Sequence, residues 1–259
     1  MIADRSPSAA GPPSSARDFP PLAIRAQLRW ALVRPIVQRI APARTIEVGV
    51  GQGAMGARIA ALSGSYVGVE IDEDSARRAA VNIAPHGGVV YNEPLAAAPR
   101  EQSDLLCAFE VLEHIEDDRG ALVEWAQCVS PGGHLLLSVP ANPKRYGPMD
   151  EFVGHFRRYS REALTELLTS VGLDEVDVRL YGSPLGYLLE AVRNRIDAKK
   201  LAQAHGQSME ELTKASGRTF QFGRRSWFSA VTTACVLPFV YLQRVCPGGV
   251  GLVAVARKP

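Results

Sequence analysis

The 259-residue chain carries 29 Lys and Arg against 27 Asp and Glu, a formal net charge of +2, with 46% hydrophobic and 22% charged residues. Those proportions suit one substantial folded domain and exclude wholesale disorder, and so slight a basic excess argues against a polyanionic partner: no nucleic acid is expected. Cys107, Cys128, Cys235 and Cys246 form no C-x-x-C pair, so no zinc site and no redox pair is read from them, and no metal is expected.

Residues 1–20 are rich in Ser, Pro, Ala and Gly, a composition that buries too little to order itself. They read as a disordered tail, leaving 21–259 as one domain. The first fifteen residues have neither a basic leader nor an apolar core, so a cytoplasmic protein is expected. From 21 to 40 apolar residues recur at helical spacing with Arg25, Arg29, Arg34 and Arg39 between them, which predicts an amphipathic helix bent near Pro35.

The period then changes. Short β-rich runs at 45–48, 66–70, 89–91, 104–109 and 134–139 alternate with helical stretches at 54–62, 74–83 and 117–129. Parallel strands need such crossovers, so the fold class is α/β: a doubly wound, mostly parallel Rossmann-like sheet. A helix over 161–171 and strands at 173–180 and 251–256 complete seven strands. The interval 182–250 is too long for a bare loop and predicts a helical insert before the last strand.

The segment from Thr45 to Gly56 passes from a strand, through Gly49-Val50-Gly51-Gln52-Gly53, into a helix. Closely spaced glycines let the backbone turn sharply and approach a ligand, while the helix start offers free N–H groups, so a nucleotide-like ligand is indicated. Gly51-x-Gly53-x-x-Gly56 with Glu70 about 20 residues on also fits a dinucleotide fingerprint. That motif alone does not decide between the two readings; Glu47 is the first of three features that do so in combination. A charge inside that strand serves no purpose in a dinucleotide fold, and burying it unpaired costs several kcal/mol. The ammonium end of S-adenosylmethionine could be its partner. Glu70, closing the second strand, suits the ribose hydroxyls, and Ile71 the adenine face.

The fourth strand runs into Phe109-Glu110-Val111-Leu112-Glu113-His114, and the fifth follows Pro131-Gly132-Gly133. With the glycine run and Glu70, these segments resemble the class I S-adenosylmethionine-dependent methyltransferases, in particular the small-molecule branch related to the quinone-biosynthesis O-methyltransferases. The resemblance spans about 45–139. It implies S-adenosyl-L-methionine as cofactor, held by Glu47, Gly49 to Gly53, Glu70 and Ile71, with Phe109, Glu110 and Val111 lining it. An adenine contact at Asn92 or Glu93 is also implied.

Methyl transfer is an in-line displacement, and a hydroxyl acceptor also needs a base. The loops after strands four and five are where a doubly wound sheet places its site. Glu113 and His114 follow strand four, and His114 is either a base or a brace. The segment 147–160, flanked by Gly and Pro and read as a loop, gathers Asp150, Glu151, His155, Arg157, Arg158 and Tyr159. It is either a substrate rim, with His155 the first choice of base and His114 the second, or an ion-pair network of Arg157 or Arg158 with Asp150 or Glu151.

The insert holds an apolar helical run at 185–196, a charged stretch, and a second apolar run at 227–242 that is too short to span a membrane and contains Pro238. A lid over a partly apolar small-molecule acceptor, or a homodimer face, is favoured over peripheral membrane contact. Methyl transfer to a hydroxyl oxygen is the leading functional reading. An NAD(P)-dependent dehydrogenase, or a catalytically silent cofactor-binding interaction protein, is the alternative.

Overall fold

The computed structural model describes residues 19–98, 101–203 and 226–259. The expected tail and the middle of the insert therefore lie largely outside the described residues. The chain enters through α1 (Ile24–Ile40), which continues through Pro35, and then alternates β1 (Arg44–Val48), α2 (Ala54–Ala60), β2 (Ser65–Val69), α3 (Glu73–Ile83), β3 (Gly88–Tyr91), β4 (Ser103–Phe109), α4 (Asp118–Gln127) and β5 (Val129–Pro140). There follow α5 (Pro148–Val153), α6 (Arg161–Ser170), β6 (Asp174–Gly182), α7 (Leu185–Gln203), α8 (Ser226–Leu242) and β7 (Gly249–Arg257).

The seven strands lie in the order β3-β2-β1-β4-β5-β7-β6, all parallel except β7. The order reverses at β1 and β4, and the crevice beyond their carboxyl ends is where such sheets bind ligands. One apolar layer packs Leu122 and Trp125 of α4 and Leu164 and Leu168 of α6 on one face of the sheet. The other sets Leu28, Val33, Ile36 and Val37 of α1 and Met55 and Ile59 of α2 on the opposite face. Burial on both faces explains why β4 and β5 read as continuous apolar runs rather than alternating ones. Among the described residues no helix is long and apolar enough to cross a membrane.

Two sequence expectations need correction. β5 begins at Val129 rather than at 134, because Gly132, at φ +79°, lets the chain pass through Pro131-Gly132-Gly133 without leaving the sheet edge. The segment 147–160 is not simply a loop. Pro148 opens a helical turn, Asp150 accepts the Gly147 N–H at 2.9 Å, and Gly154 at φ +77° ends it. Ser160 caps α6, accepting the Ala163 N–H at 3.1 Å.

The helix following the glycine run lies close against β2: a Cβ added to Gly56 would collide with the Tyr66 hydroxyl. Overpacking of this kind costs about 1–3 kcal/mol, against a helix-propensity gain of at most ~1 kcal/mol. Gly56→Ala is therefore expected to lower the urea midpoint. An unchanged midpoint would show that α2 and β2 are not so tightly apposed.

Candidate active site

The glycine run divides its tasks. Gly49 (φ +68°) passes beneath Val111, whose Cγ2 would stand 2.6 Å from an added Cβ. Gly53 (φ +80°) lies against the backbone of Ala79. Only at Gly51 (φ +54°) does an added Cβ meet open space, so that is the stretch of backbone left bare for a ligand. Its N–H donates to Glu70 Oε2 at 2.8 Å, while the Asp72 N–H donates to Oε1 at 3.0 Å. Burial pushes the Glu70 carboxyl up, against these backbone donors that pull it down. Each oxygen keeps a second lone pair, enough to accept two ribose hydroxyls. Beside it Ile71 is 78% exposed, an apolar surface with nothing covering it. Asn92 donates to the Glu70 carbonyl at 2.8 Å, which ties the end of β3 to that of β2; Glu93 is half-buried.

Glu47 has a partner that the sequence reading did not find. The Tyr66 hydroxyl donates to its Oε2 at 2.7 Å, below the glycine turn. Burial pushes the Glu47 carboxyl up to about 8, the tyrosine and the more distant Arg29 only partly opposing it. The acid is thus mostly protonated at neutral pH.

At the end of β4, Glu110 takes the left-handed conformation (φ +58°), uncommon for a residue with a side chain, and its N–H bonds the Ser138 carbonyl at 2.9 Å. Its Oε1 accepts from Ser138 Oγ (2.9 Å) and pairs with Arg29 (3.0 Å), and Oε2 lies 3.6 Å from Arg25. Burial raises its pKa, but the two arginines and Ser138 outweigh that and hold it at about 2. Arg29 also covers the ring of Phe109 at 5.5 Å. The arginines interspersed along α1 are therefore not all solvated: two reach the strand ends.

Behind Glu110 lies a second cluster. His155 Nδ1 is 2.8 Å from Asp150 Oδ1, and its Nε2 is 3.7 Å from Glu113 Oε1. His114 stands edge-on to the His155 ring at 4.6 Å. Burial and the neighbouring His155 lower His114 to about 4, so it is neutral at pH 7. Glu113 is fully buried, neither of its oxygens has a hydrogen-bond partner, and burial together with the charge of Glu110 pushes it well above the carboxylate range. Among the described residues, Glu113, His114 and His155 are the group whose donor atoms, within 4.8 Å of one another, could take a metal ion. The expectation of no metal rested on the cysteines and did not weigh these side chains.

Asp150 itself is held low despite its burial, because His155 and Arg158 both hydrogen-bond the charged form. Arg157 and Tyr159 point elsewhere: both reach Asp118 at the start of α4, each at 2.8 Å, so they brace the segment to that helix. The structure thus gathers Glu110, Glu113, His114, His155 and Arg158 at one rim and leaves Arg157 and Tyr159 out. Sequence reasoning missed Arg25, Arg29, Tyr66, Ser138 and Glu190. A charged residue on the inward side of an otherwise apolar helix pattern was the available signal for the two arginines.

A Rossmann-like sheet in this strand order, with a glycine cradle and a ribose-type carboxylate at its reversal point, is the class I methyltransferase fold. The profile of a methyltransferase-domain family matches residues 24–178, and the chain belongs to that family. It is 30% identical over 185 residues to a Mycolicibacterium smegmatis protein named "Probable S-adenosylmethionine-dependent methyltransferase", covering 68% of this chain and 65% of that one. With a ubiquinone biosynthesis O-methyltransferase of Nitrosomonas europaea it shares 27% over 135 residues, half of this chain and 57% of that one. The chain thus spans somewhat under two thirds of these relatives. Among solved structures, the fold is similar to YcgJ of Bacillus subtilis (TM-score 0.58, 12% identity, 89% of this chain and 98% of that one). It is also similar to the N-methyltransferase NodS of Bradyrhizobium japonicum with S-adenosylhomocysteine (TM-score 0.51, 16% identity, 88% and 86%). Between the two cofactor readings the family match decides for S-adenosylmethionine.

Two predictions test the cradle. Glu70→Ala removes the acceptor proposed for the ribose hydroxyls and frees the Gly51 N–H; hydrogen bonds to a charged group contribute about 1.5–3 kcal/mol each. Calorimetric affinity for S-adenosylhomocysteine should fall at least tenfold, and an unchanged affinity would remove Glu70 from the site. For Glu47, whose pKa is raised on folding, stability is fully present below the unfolded value near 4.5 and is lost as pH rises toward about 8. Glu47→Gln should therefore match the wild type near pH 4 and exceed it at pH 8 by on the order of 4 kcal/mol. Parallel stability curves would contradict this.

Proposed function

We propose that the protein transfers a methyl group from S-adenosylmethionine to a hydroxyl oxygen of a partly apolar small molecule, with His155 as the general base. The observation that carries this reading is the Asp150 and His155 pair at the carboxyl edge of the sheet. An ionised Asp150 bonded to Nδ1–H leaves the lone pair on Nε2, the nitrogen facing Glu113 and the rim. The acceptor oxygen would form a bond to the methyl carbon as the carbon–sulfur bond breaks. The electron pair then goes to sulfur and the hydroxyl proton to Nε2.

A second reading is favoured by the partnerless oxygens of Glu113. A divalent cation held by Glu113, His114 and His155 would supply Lewis-acid activation of the acceptor oxygen.

Release of S-adenosylhomocysteine from labelled cofactor across a panel of phenols and alcohols tests the first reading. His155→Ala should lower turnover at least 100-fold, within the range of general-base contributions, and leave S-adenosylhomocysteine affinity within about twofold. Turnover unaffected by that substitution would overturn the base assignment. Turnover abolished by chelation and restored by a divalent ion would favour the cation. Cofactor binding without turnover on any acceptor would support the silent binding protein.

A further inference from the structure

Glu190 belongs to α7, in the insert, and no feature of its sequence surroundings marks it. It is nonetheless 2% exposed, with Arg158 at 1% and Asp150 at 0%. Arg158 Nε donates to both oxygens of Asp150, at 2.8 and 2.9 Å, and Nη1 donates to Glu190 Oε1 at 2.6 Å. Arg145 closes the group on Glu190 Oε2 through Nε (3.2 Å) and Nη2 (3.1 Å). The Met149 N–H donates to Asn194 on the next turn of α7 at 3.1 Å. Two arginines and two carboxylates balance, which is what allows charges to be buried here.

The shared atom is Asp150 Oδ1. It accepts from Arg158 Nε and also faces His155 Nδ1 at 2.8 Å, so the position of Arg158 sets where the histidine finds its partner. Arg158 in turn is fixed from the far side by Glu190. Remove that carboxylate and Nη1 is left buried without an acceptor, beside one negative charge too few, so Arg158 must shift or admit water.

We propose that Glu190 is a positioning residue: through Arg158 and Asp150, the inserted helix fixes the orientation and tautomer of the His155 ring. This rests on the reading of His155 as the base, but its test does not need turnover. The full-length protein labelled with nitrogen-15 has five histidines, and long-range proton–nitrogen correlation reports each ring's tautomer. The His155 signals are assigned by their loss in His155→Gln.

In the wild type His155 should occupy the Nδ1–H tautomer. Glu190→Leu should shift the ratio of tautomers at least tenfold toward the other form, whereas Leu188→Ser, on the exposed side of the same helix, should leave it unchanged. If Glu190→Leu does not fold, Glu190→Gln, of the same shape, decides through a smaller shift of the His155 nitrogen signals. His155 signals identical to wild type in a folded Glu190 variant would overturn the proposal. A tautomer that follows Glu190 in a protein whose turnover survives His155→Ala would uphold the positioning chain and reject only the base assignment.

Discussion

A carboxylate taken out of water must be neutralised or its charge costs several kcal/mol, and this constraint organises the whole carboxyl edge of the sheet. Glu47, Glu113, Asp150 and Glu190 are buried there or behind it, and Glu110 is largely so. Each is neutralised differently. Glu47 holds a proton and accepts one from Tyr66. Glu110 stays ionised between Arg25 and Arg29. Asp150 and Glu190 share Arg158, while burial and the charge of Glu110 push Glu113 well above the carboxylate range. An edge built this way sets firmly held anions beside carboxyls whose ionisation burial opposes, the kind of environment in which functional groups with shifted pKa values cluster.

The sheet was legible because strand and helix periods differ and because strands buried on both faces announce themselves as apolar runs. The glycine run and Glu70 were legible for a related reason: a backbone that must turn at positive φ and lie bare to a ligand tolerates few residue types. What pattern could not supply was pairing across distance. Tyr66 reads as one more β-former, and only the register that sets Glu47 beside Gly68 brings the neighbouring tyrosine's hydroxyl under that carboxylate. Arg25 and Arg29 fall on the inward side of the α1 pattern, with Val33 and Ile36, but periodicity does not say which strand end a long side chain reaches. The helix α5 escaped because Gly and Pro signal a turn in sequence, whereas here they begin and end one and a half turns of helix.

The rim segment shows how the two readings left open by its composition divide between neighbouring residues. Arg157 and Tyr159 are spent on Asp118, so they do the structural work of an ion-pair network, though with a partner from α4 rather than from their own segment. Arg158, between them on the other side of the extended chain, faces Asp150, and His155 reaches the same carboxylate from the end of α5, where its N–H bonds the Asp150 carbonyl at 2.9 Å. Alternation along an extended backbone sends successive side chains opposite ways. One short stretch therefore braces the fold with one side and furnishes the site with the other.

The place of the insert follows from the direction of β7. Six strands run one way and end at the carboxyl edge, and a chain leaving β6 at Gly182 emerges there. Because β7 runs antiparallel, it starts at that same edge, where Gly249 pairs with Gly182. Whatever is inserted between these strands must depart from and return to the ligand side of the sheet. Had β7 been parallel, the connection would have crossed to the opposite edge and spent its length on the crossover. The reversal of one strand thus commits the insert to the rim, and the buried contacts of Glu190 and Asn194 with the segment carrying His155 are what that commitment makes possible.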